Sequence, residues 1–168
     1  MTDDLEQLLR NLHFKKILEI LDDEIKHAEK QQLSYATFLA RLLRTQYHYR
    51  QETALAWRIK KAQIPEHWTL ESFPFKRQPG VSAKQIRAFA ELDFIPKAEN
   101  IVFIGESGVG KTGLMSALVL KAVQNGYRAR FIRAQDLFDD MYASIADRSS
   151  RKLLNTLVNV DVLAIDLC

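Results

Sequence analysis

The chain has little of what interrupts or cross-links a fold. Its 168 residues include one cysteine, Cys168, which excludes an internal disulfide and fits a reducing, cytoplasmic setting. No apolar run approaches the roughly 18 residues of a membrane-spanning helix. The start, Met1-Thr2-Asp3-Asp4, is acidic, and no basic segment leads an apolar core as in a signal peptide. Neither sign of charge dominates: 24 Lys and Arg face 21 Asp and Glu, so only the distribution of charge is informative. The four prolines (Pro65, Pro74, Pro79, Pro96) all fall between residues 65 and 96. Proline breaks helices and sheets, so the cluster marks a change of architecture. Glycine is scarce too, yet four of its six copies lie between Gly105 and Gly113.

That glycine cluster is the most informative stretch. Gly105-Glu106-Ser107-Gly108-Val109-Gly110-Lys111-Thr112 fits the phosphate-loop pattern G-x-x-x-x-G-K-[ST] without a mismatch. A loop wrapping a triphosphate must turn successive N–H groups inward, and glycine reaches those dihedrals without a Cβ penalty. Lys111 would supply charge to the β- and γ-phosphates, and Thr112 a hydroxyl to Mg²⁺. Before the loop, Asn100 to Ile104 reads as a buried parallel strand. After it, Gly113 to Val123 reads as a helix ending at Asn125-Gly126. Strand, loop and helix in this order put phosphate at a helix N-terminus. The nucleotide-binding candidates are therefore Gly105, Glu106, Ser107, Gly108, Val109, Gly110, Lys111, Thr112 and Gly113.

Around this loop the chain divides in three. Residues 1–62 read as a helical domain, 63–99 as a proline-containing connector and 100–168 as the beginning of an ATPase-type α/β domain with a parallel sheet. In the first part, Leu5, Leu8, Leu9 and Leu12, then Ile17, Leu21 and Ile25, follow helical spacing and suit a bundle core. Ser34 suits the N-cap of a third helix, although Thr37 stands where a capping box has Glu or Gln. That helix turns basic: Arg41, Arg44, Arg50, Arg58, Lys60 and Lys61 face one acid, Glu52, with Tyr47, His48, Tyr49 and Trp57 among them. Such a surface suits nucleic-acid phosphates, and it equally suits a solvated face. In the connector, Trp68, Leu70, Phe73 and Phe75 are expected to pack on a neighbouring domain. Ser82 is expected to cap a short helix carrying Ile86, Phe89 and Leu92.

After Gly126, Tyr127 to Ile132 reads as a second strand and Asp136 to Ala146 as a helix. Ser149 or Ser150 suits the cap of another helix. Val160 to Asp166 reads as a third strand ending in an acid. An apolar strand ending in Asp, this far beyond a phosphate loop, suits the carboxylate that holds Mg²⁺ opposite Thr112. The metal-side candidates are Thr112 and Asp166. Many such ATPases follow this Asp with an acid that orients the attacking water, but here Leu167 follows. Losing a general base typically costs roughly 10²- to 10⁴-fold in rate. No catalytic residue is assigned.

Taken together, these stretches resemble the IstB family, AAA+ helper ATPases of insertion-sequence transposition that are similar to DnaC helicase loaders. The resemblance covers essentially the whole chain. It rests on Leu33-Ser34-Tyr35 leading into Phe38 to Leu43, Thr69 to Phe73 followed by Phe75, Leu92 to Ile95, Asn100 to Leu114 and Gly126 to Phe131. It implies ATP and Mg²⁺ as ligands, double-stranded DNA and a transposase as partners, and a homo-oligomer. The sister family implies a replicative helicase as the alternative partner; the other alternative is a remnant that binds nucleotide or DNA without hydrolysis. By resemblance, Gly105, Gly108, Gly110, Lys111 and Thr112 match the nucleotide loop, Asp166 matches the metal-side acid, and Arg41 to Lys61 fall in the region that contacts DNA. The resemblance also implies later sheet strands on both sides of Ile101–Ile104. The chain is expected to be a C-terminally truncated form in which that strand lacks both neighbours.

Overall fold

The computed structural model describes residues 3–66, 68–78, 80–146 and 148–167. Met1, Thr2, His67, Pro79, Asp147 and Cys168 lie outside the described residues. The chain is mixed α/β, mostly helical, with a short parallel sheet. It forms two compact units, Met1–Ala54 and Leu55–Cys168.

The first unit holds α1 (Asp3–Asn11), α2 (Lys15–Lys30) and the N-terminal part of α3 (Tyr35–Ala62). Leu9, Ile17, Leu21 and Leu42 form its core, with Phe14, Leu18, Ile25 and Phe38 packed around them. The expected stripe on α1 is only partly used, because Leu5, Leu8 and Leu12 remain exposed. A neighbouring helix covers one side of a helix, and this leucine stripe is wider than that side.

Two polar contacts fix α2 to α3. The N-cap of α2 is Phe14, which makes no side-chain cap. Gln46 of α3 does the capping instead. It is 3% exposed, and its Oε1 accepts from the N–H groups of Lys16 (2.9 Å) and Ile17 (3.2 Å). These are donors that a helix start otherwise leaves unsatisfied. Arg41 grips Glu24 with two hydrogen bonds of 2.9 and 3.0 Å, and the first effect is to hold the Glu24 carboxyl below its ordinary range. At the start of α3 the Ser34 cap forms as expected: Ser34 Oγ accepts from Thr37 N (3.2 Å). Thr37 Oγ1 lies 2.9 Å from Ser34 Oγ, a contact between the two hydroxyls.

The second unit is built on α5 (Lys111–Gln124), β1 (Ala129–Arg133), α6 (Ala134–Ala146), α7 (Ser150–Val158) and β2 (Val162–Asp166). β1 and β2 run parallel, in register from Ala129↔Val162 to Arg133↔Asp166. A parallel pair needs a crossover, which α6 and α7 supply. Ala62, Val119, Val123, Ala129, Phe131 and Ala164 form the core beside the sheet. Burying each Val or Phe there contributes about 1.5–3 kcal/mol. β1 starts later than the sequence suggests because Arg128 is held by Asp161. Arg128 N donates to Asp161 Oδ2 (2.8 Å), its guanidinium donates to Oδ1 (3.0 Å), and Asp161 N donates back to Arg128 O (2.7 Å). The two strands thus enter the sheet from a clasp. α6 begins at Ala134, earlier than expected, and Ser149 is the N-cap residue of α7.

One expectation is overturned. Asn100 to Ile104 is not a buried strand. It has no ladder among the described residues, and Val102 and Ile104 are 76% and 93% exposed. A groove of ≈ 630 Å³ separates Ile101–Phe103 from β2, floored by Met115, Leu118 and Val119 of α5. β-branched residues favour a strand only where a neighbour takes up the backbone N–H and C=O groups.

The connector packs within the second unit. Phe73, Ile86 and Leu114 are buried together, with Leu70, Phe75, Val81, Phe89 and Phe103 around them. Ser82 caps α4 (Ala83–Phe89) by accepting from Gln85 N at 3.3 Å. Leu92, expected on this helix, lies past its end at φ +65° and is buried.

Candidate functional site

The glycine loop closes onto α5 through left-handed backbone. Gly108 has φ +80° and Gly110, the N-cap of α5, has φ +89°. A residue with Cβ would be strained at both. The helix begins at Lys111, two residues before the expected start, and Leu114 N donates to Gly110 O at 3.0 Å. Its first N–H groups therefore open toward the loop, with the positive end of a 14-residue helix behind them.

Lys111 folds over this loop. Its Nζ donates to the carbonyls of Gly105 (3.0 Å) and Glu106 (2.7 Å), so the ammonium spans the loop entrance. Glu106, Ser107 and Gly108 are exposed, whereas Val109 is half-buried. Next along the helix, Thr112 Oγ1 donates to Asp166 Oδ2 at 2.7 Å. Asp166 is the last residue of β2, paired in register with Arg133, and is 7% exposed. The two predicted metal-side residues, 54 positions apart in sequence, thus meet at the carboxyl end of a parallel strand. Open α/β sheets place ligand sites at that end.

The arrangement has two chemical capacities. Loop N–H groups, helix end and Lys111 favour a multiply charged anion. The Thr112 hydroxyl and Asp166 carboxylate are hard oxygen donors. Mg²⁺ is commonly held by one or two such protein groups, with phosphate and water completing the shell, so these residues fit that ion. Leu167, which follows Asp166, is exposed and has no group to orient water.

Two of the connector aromatics expected to pack on a neighbouring domain, Trp68 and Phe73, form a wall beside the loop. Trp68, Phe73, Pro74 and Gln78 of the connector face Ser107, Gly108 and Lys111–Gly113 across a cavity of ≈ 380 Å³. Aromatic residues in a stretch without periodicity indicate packing, not what they pack against.

The basic residues of α3 are placed differently from one another. Arg41 is tied to Glu24. Arg50 donates to Leu12 O (3.1 Å) and stands 5.2 Å from the Phe14 ring centre. Arg44 is exposed beside Tyr47 and His48. In the second unit, Arg58 is half-buried, Lys60 is exposed, and Lys61 lies 4.5 Å from the centre of the exposed Trp57 ring.

A left-handed glycine loop opening a helix, a lysine over that loop and a carboxylate at the end of a parallel strand define a P-loop NTPase-type region, here following a helical region. The family model described as IstB-like ATP binding protein matches residues 7–168, and the chain belongs to this family. It is 31% identical over 166 residues to the "Insertion sequence IS5376 putative ATP-binding protein" of Geobacillus stearothermophilus, covering 99% of this chain and 66% of that relative. It is 32% identical over 163 residues to the corresponding protein of insertion sequence IS21 from Pseudomonas aeruginosa, covering 97% of this chain and 62% of the relative. The chain therefore spans less than two thirds of the length of either relative.

Proposed function

We propose that the chain binds ATP with Mg²⁺ at the Gly105–Gly113 loop, as part of an insertion-sequence protein that brings DNA to a transposase. The observation that carries this is the 2.7 Å contact between Thr112 and Asp166 directly behind the left-handed loop. It joins the two oxygen donors a Mg²⁺–triphosphate needs to the N–H groups and lysine that hold phosphate. When bound, the ion would neutralise phosphate charge. The chain's own groups orient the phosphates through the loop and keep a carboxylate at the metal side. Family membership supports ATP as the nucleotide, and the insertion-sequence relatives favour transposition over helicase loading. Duplex DNA is assigned to the exposed cations of α3, Arg44 in the first unit and Lys60 and Lys61 in the second. Arg41, Arg50 and Arg58 complete the basic set, the first two also serving the internal contacts described above.

Calorimetric titration of the 168-residue chain with Mg²⁺-ATP tests this. Binding in the micromolar range that Lys111→Ala weakens by roughly 100-fold, through loss of a charge-assisted phosphate contact, is the expected result. An unchanged affinity in that variant would remove the site. Duplex DNA titrated at several salt concentrations should bind with a salt slope that falls by about one when Lys61 is replaced by alanine.

A further inference from the structure

The loop glycines are explained only partly by backbone dihedrals. Gly113 lies outside the phosphate-loop pattern and inside α5, without a positive φ. Glycine in a helix interior costs about 1 kcal/mol relative to alanine. A Cβ at Gly113 would meet Trp68 Cδ1 at 3.3 Å, Trp68 Nε1 at 3.5 Å and Phe73 Cε2 at 3.6 Å. A Cβ at Gly110 would meet Phe73 Cζ at 3.0 Å and Cε2 at 3.2 Å. Two glycines thus face one aromatic pair. Trp68 and Phe73 stack edge-to-face, 6.2 Å between centres and 69° between planes, and Phe75 backs Phe73 at 5.0 Å. Phe73 is 6% exposed and packs with Ile86 and Leu114. The turn that carries these rings is itself fixed: Thr69 N donates to Ser72 Oγ (3.0 Å) and Ser72 N to Thr69 Oγ1 (3.2 Å).

We infer that Trp68 and Phe73 form an aromatic clamp that positions the phosphate loop and first turn of α5, with Phe73 the main positioning residue. The clamp holds Gly110 in its left-handed conformation and so aims the N–H groups that follow. Rigid first turns matter because a displacement on the order of 1 Å at a positioned group costs up to 10²-fold in function. The connector is then part of the binding machinery and not merely a tether. This inference deepens the proposed nucleotide site and rests on it for its functional meaning.

The discriminating variant is Phe73→Tyr. It is conservative elsewhere, but its hydroxyl extends from Cζ, the atom nearest the position that a Cβ on Gly110 would take. The control is Phe89→Leu, which perturbs the same cluster at a residue not among the atoms facing either glycine. Amide hydrogen exchange in the ligand-free 168-residue chain should rise roughly tenfold over Gly108–Leu114 in F73Y, whereas F89L leaves that stretch near the parent rate. Affinity for inorganic tripolyphosphate, which has no base to touch the wall, should weaken by roughly tenfold in F73Y and by less than about twofold in F89L. Equal effects of the two variants on loop exchange, or none from F73Y, would overturn the clamp. If F73Y does not fold, Trp68→Phe is read in the same way at Gly113. Failure of the parent chain to bind either ATP or tripolyphosphate while the exchange pattern holds would remove the nucleotide site and leave the clamp standing.

Discussion

Ile101–Ile104 and Val162–Asp166 are composed alike, yet they meet different fates. Both are short, apolar and rich in β-branched residues. Val162–Asp166 pairs with β1 along five residues and buries Ala164 and Asp166. Ile101–Ile104 runs into the glycine loop with no ladder among the described residues, and Val102 and Ile104 are exposed. The difference lies in their neighbours. β2 has the Arg128–Asp161 clasp and β1 beside it, whereas Ile101–Ile104, the arm, has a groove at its side and packs through Phe103 against the Phe73, Ile86 and Leu114 cluster. Strand propensity measures fit to a pleated, half-buried surface, and without that surface it does not make a strand. Nevertheless the loop after the arm and the tip of β2 meet at Thr112 and Asp166. The loop is held by its glycines, by Lys111 and by the aromatic wall, not by a strand entering a sheet.

The largest test of this contrast is stability. Phe131 lies on the strand that β2 pairs with and is buried in the core. Phe131→Ala should cost about 3–5 kcal/mol in a urea titration, the range for emptying a packed aromatic site. Val102→Ala, on the arm, should stay within about 0.5 kcal/mol. A cost for Val102→Ala approaching that of Phe131→Ala would break the comparison, because the arm would then be packed in solution.

Particular residues show what was legible beforehand. Gly108, Gly110 and Lys111 could be read because their chemistry is written in local spacing and their flanks agreed. Asp166 could be read because an apolar strand ending in an acid has meaning once the loop is known. The arm was misread because its composition is local but its ladder partner is not. Gln46 capping α2 was invisible, since a glutamine within a helix carries no mark of a partner 30 residues away. The clamp was hidden for the same reason, although Gly113, a helical glycine outside the motif, was a clue to close packing. Arg41 and Arg50 look like any surface cations in sequence. Only the fold shows that Glu24 and the Leu12 carbonyl already engage them.

The next effect in size concerns the meeting point of the two segments. Asp166→Asn keeps an acceptor for Thr112 but removes the charge. It should reduce the gain in ATP affinity caused by Mg²⁺ about tenfold, with little change in affinity measured without the metal. The ratio of the two affinities is the readout. A ratio equal to that of the parent chain would show that Asp166 serves the strand and not the metal side, and β2 would differ from the arm in packing alone.

The smallest effect sharpens the reason β2 is a strand at all. Asp161 is held below its ordinary value of 3.8, first by the hydrogen bond from the Arg128 side chain and then by the Arg128 backbone N–H. A carboxyl whose folded value is depressed stabilises the fold above its unfolded value. That contribution disappears as pH falls through the folded value. The parent chain should therefore melt above Asp161→Asn by about 1–3 °C at pH 6, the pair being partly exposed. The gap should begin to close below about pH 4 and shrink further toward pH 2.5. Asparagine retains an acceptor for Arg128 N, so the pH-dependent part isolates the charge from the clasp's shape. A gap that stays constant to pH 2.5 would mean that backbone pairing alone brings β1 and β2 together, and that the clasp the arm lacks is not what separates the two segments.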